Sequence, residues 1–410
     1  MGARGDGRRA PAVAVCHHGH ENDVVVTENL FEFFAARGIA HRFLNLAKPT
    51  DRGALHRRLA EKAPTVLLGF NHQIDQGQFG NLPILTIAAR HGAKVLQWMF
   101  DHPAERWADF NHSDASTSRF IFHSPFSQGY FADYCCAGAQ TATAGSVGPN
   151  RRSRSHEDGT AAFAARPIAC LIPLTLARHG KKPADTEAEI GSLPPRWARA
   201  VLTAIERARC DLDRRLDCHL SEACAEQGLA LERGDFHRCF RLVLQSVHDF
   251  RRRYIFRIAS RFPVSIQSDR SAGPLLTSGR ADFRPGVGAI ETLERMPRCR
   301  AVVSVSPVND SIHDRTCNAL NAGCLPILED NRAHRRHFVN GENALLFRYD
   351  DDSLAECLSR ACGSVSAIVP LAERARVLRD QPPFRFGAFD NILALGDIRP
   401  AGCVSSQSGS

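Results

Sequence analysis

No apolar run in the sequence approaches the ~20 residues that a bilayer-spanning helix requires, so no helical membrane anchor is expected. The opening stretch MGARGDGRRAPAVAV is basic, but its apolar part is short and turns directly into CHHGH, unlike a secretory leader. Asp6 stands where a myristoylation signal carries Ser or Thr. These absences predict a cytoplasmic chain. The 14 cysteines include no CxxC spacing, and neither the adjacent Cys135 and Cys136 nor the pair Cys317 and Cys324 has metal-site spacing, so reduced thiols are expected. Aromatic residues make up only 8%, basic residues are spread along the chain, and no zinc-finger or RNA-binding signature is present. Nucleic acid is therefore not an expected partner.

What the sequence does contain is enough apolar side chain, 43% of 410 residues, for more than one core. A single core stops growing below about 250 to 300 residues, so two domains are the expectation. The formal charge of +8 favours anionic partners: a nucleoside diphosphate, an acidic glycan or an anionic membrane surface touched peripherally.

Short apolar runs alternate with helix-length amphipathic segments. Strands are predicted at Val13–Cys16, His41–Leu46, Thr65–Phe70, Lys94–Phe100, Arg119–His123 and Thr141–Gly145, with helices at Val24–Arg37, Phe79–Arg90 and Ser127–Tyr134. Such alternation requires crossover connections and a parallel sheet covered on both faces. It resumes at Arg166–Thr175, Phe262–Gln267, Ala301–Ser306, Cys324–Leu328 and Ala344–Tyr349, after the polar stretch PNRRSRSHEDGTAAFAA. The fold class is α/β: two Rossmann-like domains facing across a cleft, with a largely helical insertion in the second. The boundaries expected are 1–150 for the first domain, 151–165 for a linker, 166–385 for the second domain with its insertion at 186–259, and 386–410 for a C-terminal segment ending in a frayed tail.

In open parallel sheets ligands bind beyond the carboxyl ends of the strands. In the first domain those positions are polar: His17, His18 and His20 after the first strand, Asn71, His72 and Asp75 after the third, Asp101 and His102 after the fourth, His123 and Ser124 after the fifth. Four such loops on one edge make one cleft, whose acceptor side would be formed by His17, His18, Asn71, His72 and Ser124. The histidines lack a spaced partner for zinc, and no metal is assigned. Asp350, Asp351 and Asp352 imitate a metal-binding Asp-x-Asp but precede a helix, as a cap does. GSVGPN at 145–150 and RPGVG at 284–288 lack the dinucleotide fingerprint and read as turns.

The most specific segment runs from Ser306 to Ala361: a strand, a loop, a helix ending Asn-Ala-Gly, a strand, an acidic loop, then Gly-Glu-Asn-Ala before a strand and an acidic helix start. In that order it resembles the C-terminal lobe of GT-B glycosyltransferases, in the branch of the "glycosyl transferases group 1" domain and the spore-maturation glycosyltransferase-like proteins. VLQWMFDHPAERW and RFIFHSPFSQGYF are similar to the partner lobe, and the likeness covers about half the chain, leaving 186–259 without a motif.

The resemblance implies transfer of a sugar from a nucleoside diphosphate sugar, as co-substrate, to a glycan, lipid or protein acceptor, with no bound cofactor or metal. It sets Asp310 and Asn318 at the two glutamates of the Glu-x7-Glu motif of retaining members, facing donor sugar and ribose; both depart from it. Ser311 and Arg315 join them as donor-binding residues, Arg315 as the diphosphate clamp in the first turn of a helix. It puts His102 facing the sugar, with Asp101 beside it as a base or ring holder; capping of the turn before Pro103 is the competing reading. The strand IACLIPLT also lacks the glycine loop that relatives carry near the donor phosphates. Two alternatives stay open: a non-catalytic sugar- or nucleotide-binding protein, and a sugar-nucleotide epimerase.

Overall fold

The computed structural model describes residues 12–398 apart from 61–64, 72–73, 75–77, 80–81, 111–117, 137, 145–147, 156–158, 176–182, 277–278, 307–308, 351, 382–383 and 386. The first lobe is built on β1 (Ala12–His17), β2 (His41–Asn45), β3 (Thr65–Phe70), β4 (Lys94–Met99), β5 (Ser118–Phe122) and β6 (Thr141–Thr143), all parallel in the order β2-β1-β3-β4-β5-β6. Helices α1 (Glu21–Ala36), α2 (Pro49–Ala60), α3 (Ile84–Arg90) and α4 (Pro125–Tyr134) make the crossovers.

Strand alternation divides the core of this lobe between two faces. Val13 and Val15 pack with Leu30 and Phe33 of α1, whereas Ala14 and Cys16 pack with Leu55 and Leu59 of α2 and Ile87 of α3. The predicted helix Phe79–Arg90 is shorter than expected. Gln78–Phe79 and Leu82–Pro83 pair as a small antiparallel ribbon, and the helix begins only at Ile84 with Pro83 as its N-cap. Proline has no amide proton to donate within a helix, so the residue before Ile84 sets the boundary.

The second sheet comprises β7 (Ile168–Pro173), β8 (Ser265–Ser268), β9 (Asp282–Pro285), β10 (Cys299–Ser304), β11 (Leu325–Glu329) and β12 (Leu345–Phe347), parallel in the order β9-β8-β7-β10-β11-β12. That order is the doubly wound one. β9 escaped the sequence reading because it is a short, largely exposed edge strand with no apolar alternation. Between β7 and β8 lie α5 (Pro183–Gly191), α6 (Pro195–Ala208), α7 (Leu216–Glu226) and the long α8 (Arg233–Ala259). The sheet's other helices are α9 (Ala289–Arg295), α10 (Asp314–Asn321), α11 (Ser353–Cys362) and α12 (Val365–Arg376).

The helical insertion belongs to both lobes. Its apolar interior includes Ala104 and Tyr130 of the first lobe together with Val201, Leu220, Phe240 and Val247, and Tyr134 stacks on Phe236 at 4.6 Å. The chain also returns to the first lobe at its end. In α13 (Gly387–Gly396), Phe389, Ile392 and Leu393 are buried in the first lobe's core with Phe33 and Trp98. The stretch expected as a plain linker holds a short turn at Arg151–Ser153 and a helix at Thr160–Ala164. The 13 cysteines among the described residues are all free thiols.

Burying each of the three α13 side chains is worth about 1.5–3 kcal/mol as an upper estimate. Phe389→Ala should therefore lower the urea-unfolding free energy by about 3–5 kcal/mol, while Val377→Ala, at a position 66% exposed, should change it by no more than about 0.5 kcal/mol.

Candidate functional site

The strand order reverses between β1 and β3 in the first sheet and between β7 and β10 in the second, and such points are where open parallel sheets bind ligands. One cleft of about 920 Å³ joins the two. Its walls include His18, Asn71, Asp101, Arg106 and His123 from the first lobe, Thr175, Asp269, Gly286–Gly288, Ser306 and Ser311 from the second, and His248 and Arg252 from α8.

The structure brings one of each expected pair of neighbours to this cleft. His18 lines it, whereas His17 is half-buried and its Nδ1 accepts the Gly19 amide at 3.1 Å. Asp101 lines it, whereas His102 is buried, its ring set against Tyr130 and Phe240 and its Nδ1 accepting the Ala104 amide at 3.1 Å. His102 thus caps the turn at Pro103–Glu105. His123 lines the cleft, whereas Ser124 is buried, donating from Oγ to the Asn309 carbonyl at 2.9 Å and accepting from the Phe126 amide.

Asn71 stands at φ 43° and serves as a bracket. Its Oδ1 accepts the Phe100 and Asp101 amides at 2.7 and 3.2 Å, and its Nδ2 donates to Asp101 Oδ2 at 3.1 Å. The Asp101 carboxylate also lies 3.5 Å from the Arg106 guanidinium. His72 and Asp75 lie outside the described residues.

The expected donor residues separate in the same way. Arg315, in the first turn of α10, faces the cleft, and its guanidinium makes no hydrogen bond to a described residue; its one charged neighbour is Asp314. Burial within the cleft lowers the Arg315 pKa, against the pull of Asp314. His313 Nδ1 accepts the Arg315 amide at 3.0 Å and so caps the helix. Burial raises the Asp314 carboxyl, but the neighbouring His313, then Arg315 and His123, outweigh it and hold it well below the usual carboxylate range. His123 of the first lobe is thus within electrostatic reach of the helix that carries Arg315.

Asp310 and Asn318 are placed differently with respect to the cleft. Asp310, at φ 56°, is buried off the cleft with its carboxylate 3.3 Å from Arg336. Asn318 lines the cleft floor, but its Oδ1 accepts the Asn150 amide at 2.7 Å and the Ser153 hydroxyl at 2.9 Å, and its Nδ2 donates to the Asp314 carbonyl at 3.0 Å. A short polar side chain at this position is engaged by the linker. Ser311 remains in the cleft, its carbonyl accepting from Ser306 Oγ at 2.8 Å.

Beneath the floor, Glu329 accepts the Ser306 amide at 2.7 Å and the Tyr349 hydroxyl at 2.6 Å, fixing the start of the loop that leads to Arg315. Burial raises its pKa, opposed by Arg251 and these two bonds. The Glu329 carbonyl in turn accepts from His334 Nδ1 at 2.7 Å.

The sequence reading missed the Gly286–Gly288 loop, set aside as a turn, because β9 before it was not recognised; a glycine pair between a strand and a helix was the available signal. It gave no sign of His248 and Arg252, since only tertiary packing lays α8 along the cleft. Among the described residues no group of three or more His, Cys, Asp and Glu side chains is arranged to hold a metal. Asp350 accepts the Ser353 amide at 2.8 Å, a cap at the start of α11. No single described helix is long and apolar enough to cross a membrane.

No protein-family profile and no curated protein matches the sequence. Solved structures do match. HepE of Anabaena in complex with UDP-glucose aligns over 94% of this chain and 98% of its own, at 9% identity and a TM-score of 0.51. The same protein with UDP and glucose aligns over the same shares at 9% identity and a TM-score of 0.50. Sucrose-phosphate synthase from Thermosynechococcus elongatus covers 94% of this chain and 98% of its own at 10% identity, with a TM-score of 0.49. Identity this low defines a fold. With the two doubly wound sheets and the cleft between them, the chain has the GT-B fold.

His334 is fully buried and its pKa is lowered to about 4, first by burial; His237, buried against Tyr130, is lowered to about 4 for the same reason. In the unfolded chain both return to about 6.5. The unfolded state then binds more protons between pH 6.5 and 4, so stability falls as pH drops through that window. Each histidine should contribute a loss of about 3 kcal/mol at most. Urea midpoints measured from pH 7.5 to 4.5 should decline below pH 6.5, and His334→Gln and His237→Gln should each flatten that decline.

Proposed function

We propose that this chain is a glycosyltransferase that binds a nucleoside diphosphate sugar on its second lobe and transfers the sugar to an acceptor held on the first. The observation that carries the reading is Arg315: a guanidinium with no hydrogen-bonding partner among the described residues, in the first turn of a helix, facing a cleft shared by two switch points. A helix N-terminus and a guanidinium together suit a diphosphate, and both stabilise the negative charge that grows on a departing nucleotide. HepE, of the same fold, has been captured with UDP-glucose.

In this reading His313 orients the start of α10 and Glu329 holds the preceding loop, while Asp310 and Asn318 are supports. Asp101, held by Asn71 and Arg106, is a first-lobe carboxylate lining the cleft that could accept from an acceptor hydroxyl. The reading takes the chain to work in the cytoplasm and to require no metal as a bound cofactor. A second reading, non-catalytic binding of the same ligand, is favoured by one observation: Asn318, one of the two positions that the resemblance sets at the Glu-x7-Glu acids, spends its side-chain amide on Asn150, Ser153 and its own helix.

Calorimetry against UDP, UDP-glucose, GDP and ADP tests the donor site. One nucleotide should bind, and Arg315→Ala should weaken it by about 2 kcal/mol, the size of a charge-assisted hydrogen bond, with Arg315→Lys intermediate. Absence of binding, or equal binding by Arg315→Ala, would reject the assignment. Release of nucleotide from the bound sugar conjugate, lost in Arg315→Ala, separates turnover from binding alone.

A further inference from the structure

Four aromatic rings converge at the carboxyl ends of β3, β4 and β5. Phe70 stacks on Phe100 at 5.5 Å and 25°, Trp98 lies 5.2 Å from Phe100, and His123 lies 4.9 Å from Phe100 at 33°. Phe70 and Trp98 are buried and form the base; Phe100 and His123 are only partly buried and line the cleft. Beside this ledge stand the Asp101 carboxylate and the Arg106 guanidinium, 3.5 Å apart and both reachable from the cleft.

We propose that this ledge is the acceptor subsite and that the acceptor is a saccharide, or the terminal sugar of a larger molecule. A pyranose ring offers an apolar face of C–H groups and a rim of hydroxyls. The first fits the supported face of an aromatic ring, and the second fits a carboxylate that only accepts and a guanidinium that only donates. An apolar chain would desolvate the Asp101–Arg106 pair and return no hydrogen bond to it, and a phosphate would meet a carboxylate beside its cation. The base rings prevent Phe100 from turning away, so the ledge is organised before anything binds. His123 reaches the electrostatic field of Asp314, next to Arg315, which sets the ledge beside the donor end of the cleft. The assignment rests on the glycosyltransferase reading for its role as acceptor, although sugar binding at the ledge is measurable without a donor.

Saturation-transfer difference NMR with glucose, galactose, N-acetylglucosamine, lactose and maltose, each with and without UDP, tests it. At least one sugar should receive saturation at its ring C–H protons. Phe100→Ala should weaken that sugar about fivefold or more, and Phe100→Leu should do the same while keeping the apolar bulk and the melting temperature. Phe100→Tyr should retain binding. If UDP binds and no sugar does, the saccharide assignment is overturned and the donor reading stands. The saccharide assignment is overturned equally if both non-aromatic variants bind sugar as tightly as the unaltered protein, or if octyl glucoside binds through its alkyl protons alone. If a sugar binds in a Phe100-dependent way and no nucleotide binds, the ledge stands as a sugar site and the donor reading fails.

Discussion

Two sheets that share no strand need another connection if a cleft between them is to keep its shape, and here the connection is a buried cluster of amides. Every polar atom of Asn150 is engaged: its amide donates to Asn318 on α10, its side-chain nitrogen to the Val25 carbonyl and Glu28 on α1, its Oδ1 accepts from the Arg152 amide, and its carbonyl accepts from Asn321. Ser153 closes the ring against Asn318 and Asn321. Arg152 then pairs with Glu28 of the first lobe and Glu294 of the second. Leaving any of these buried groups without its partner costs about 1–3 kcal/mol, so the cluster fixes where α1, the linker and α10 meet. The identities of the cleft residues follow from that meeting.

A second tie works through the helical insertion. Arg251 of α8 is buried and donates to Asn309 Oδ1 and to the carbonyls of Ala208, Arg209 and Asp211, while the Asn309 carbonyl accepts from Ser124 of the first lobe. A buried guanidinium is tolerable only when its donors are matched in this way. The insertion is therefore structural as well as lining. It holds His102 and Tyr130 of the first lobe in its apolar interior, and it presents His248 and Arg252 to the cleft.

These ties also account for the departure at Asn318. A glutamate there would bring a charge into a cluster whose nearest donors are a backbone amide and a serine hydroxyl. The shorter neutral amide matches both and returns a hydrogen bond to its own helix. The cleft groups that the linker does not use include Arg315, a guanidinium in the first turn of α10.

The alternation of apolar strands with amphipathic helices was enough to read the parallel sheets, because a crossover connection and a doubly covered sheet leave few other patterns. The ordered motifs from Ser306 to Ala361 were enough to name the GT-B fold and to single out Arg315. Strand periodicity also named the loops at the cleft. It did not say which of His17 and His18, Asp101 and His102, or His123 and Ser124 would face it, since that depends on distant contacts such as those of His102 with Phe240 and Ser124 with Asn309. β9 and α13 were illegible for a different reason: one is a polar edge strand, and the other is buried only because the first lobe receives it. Local spacing determined the elements, the fold class and the stock of candidate groups. Tertiary structure decided which of them the linker and the helical insertion would engage, because that depends on contacts between residues more than a hundred positions apart.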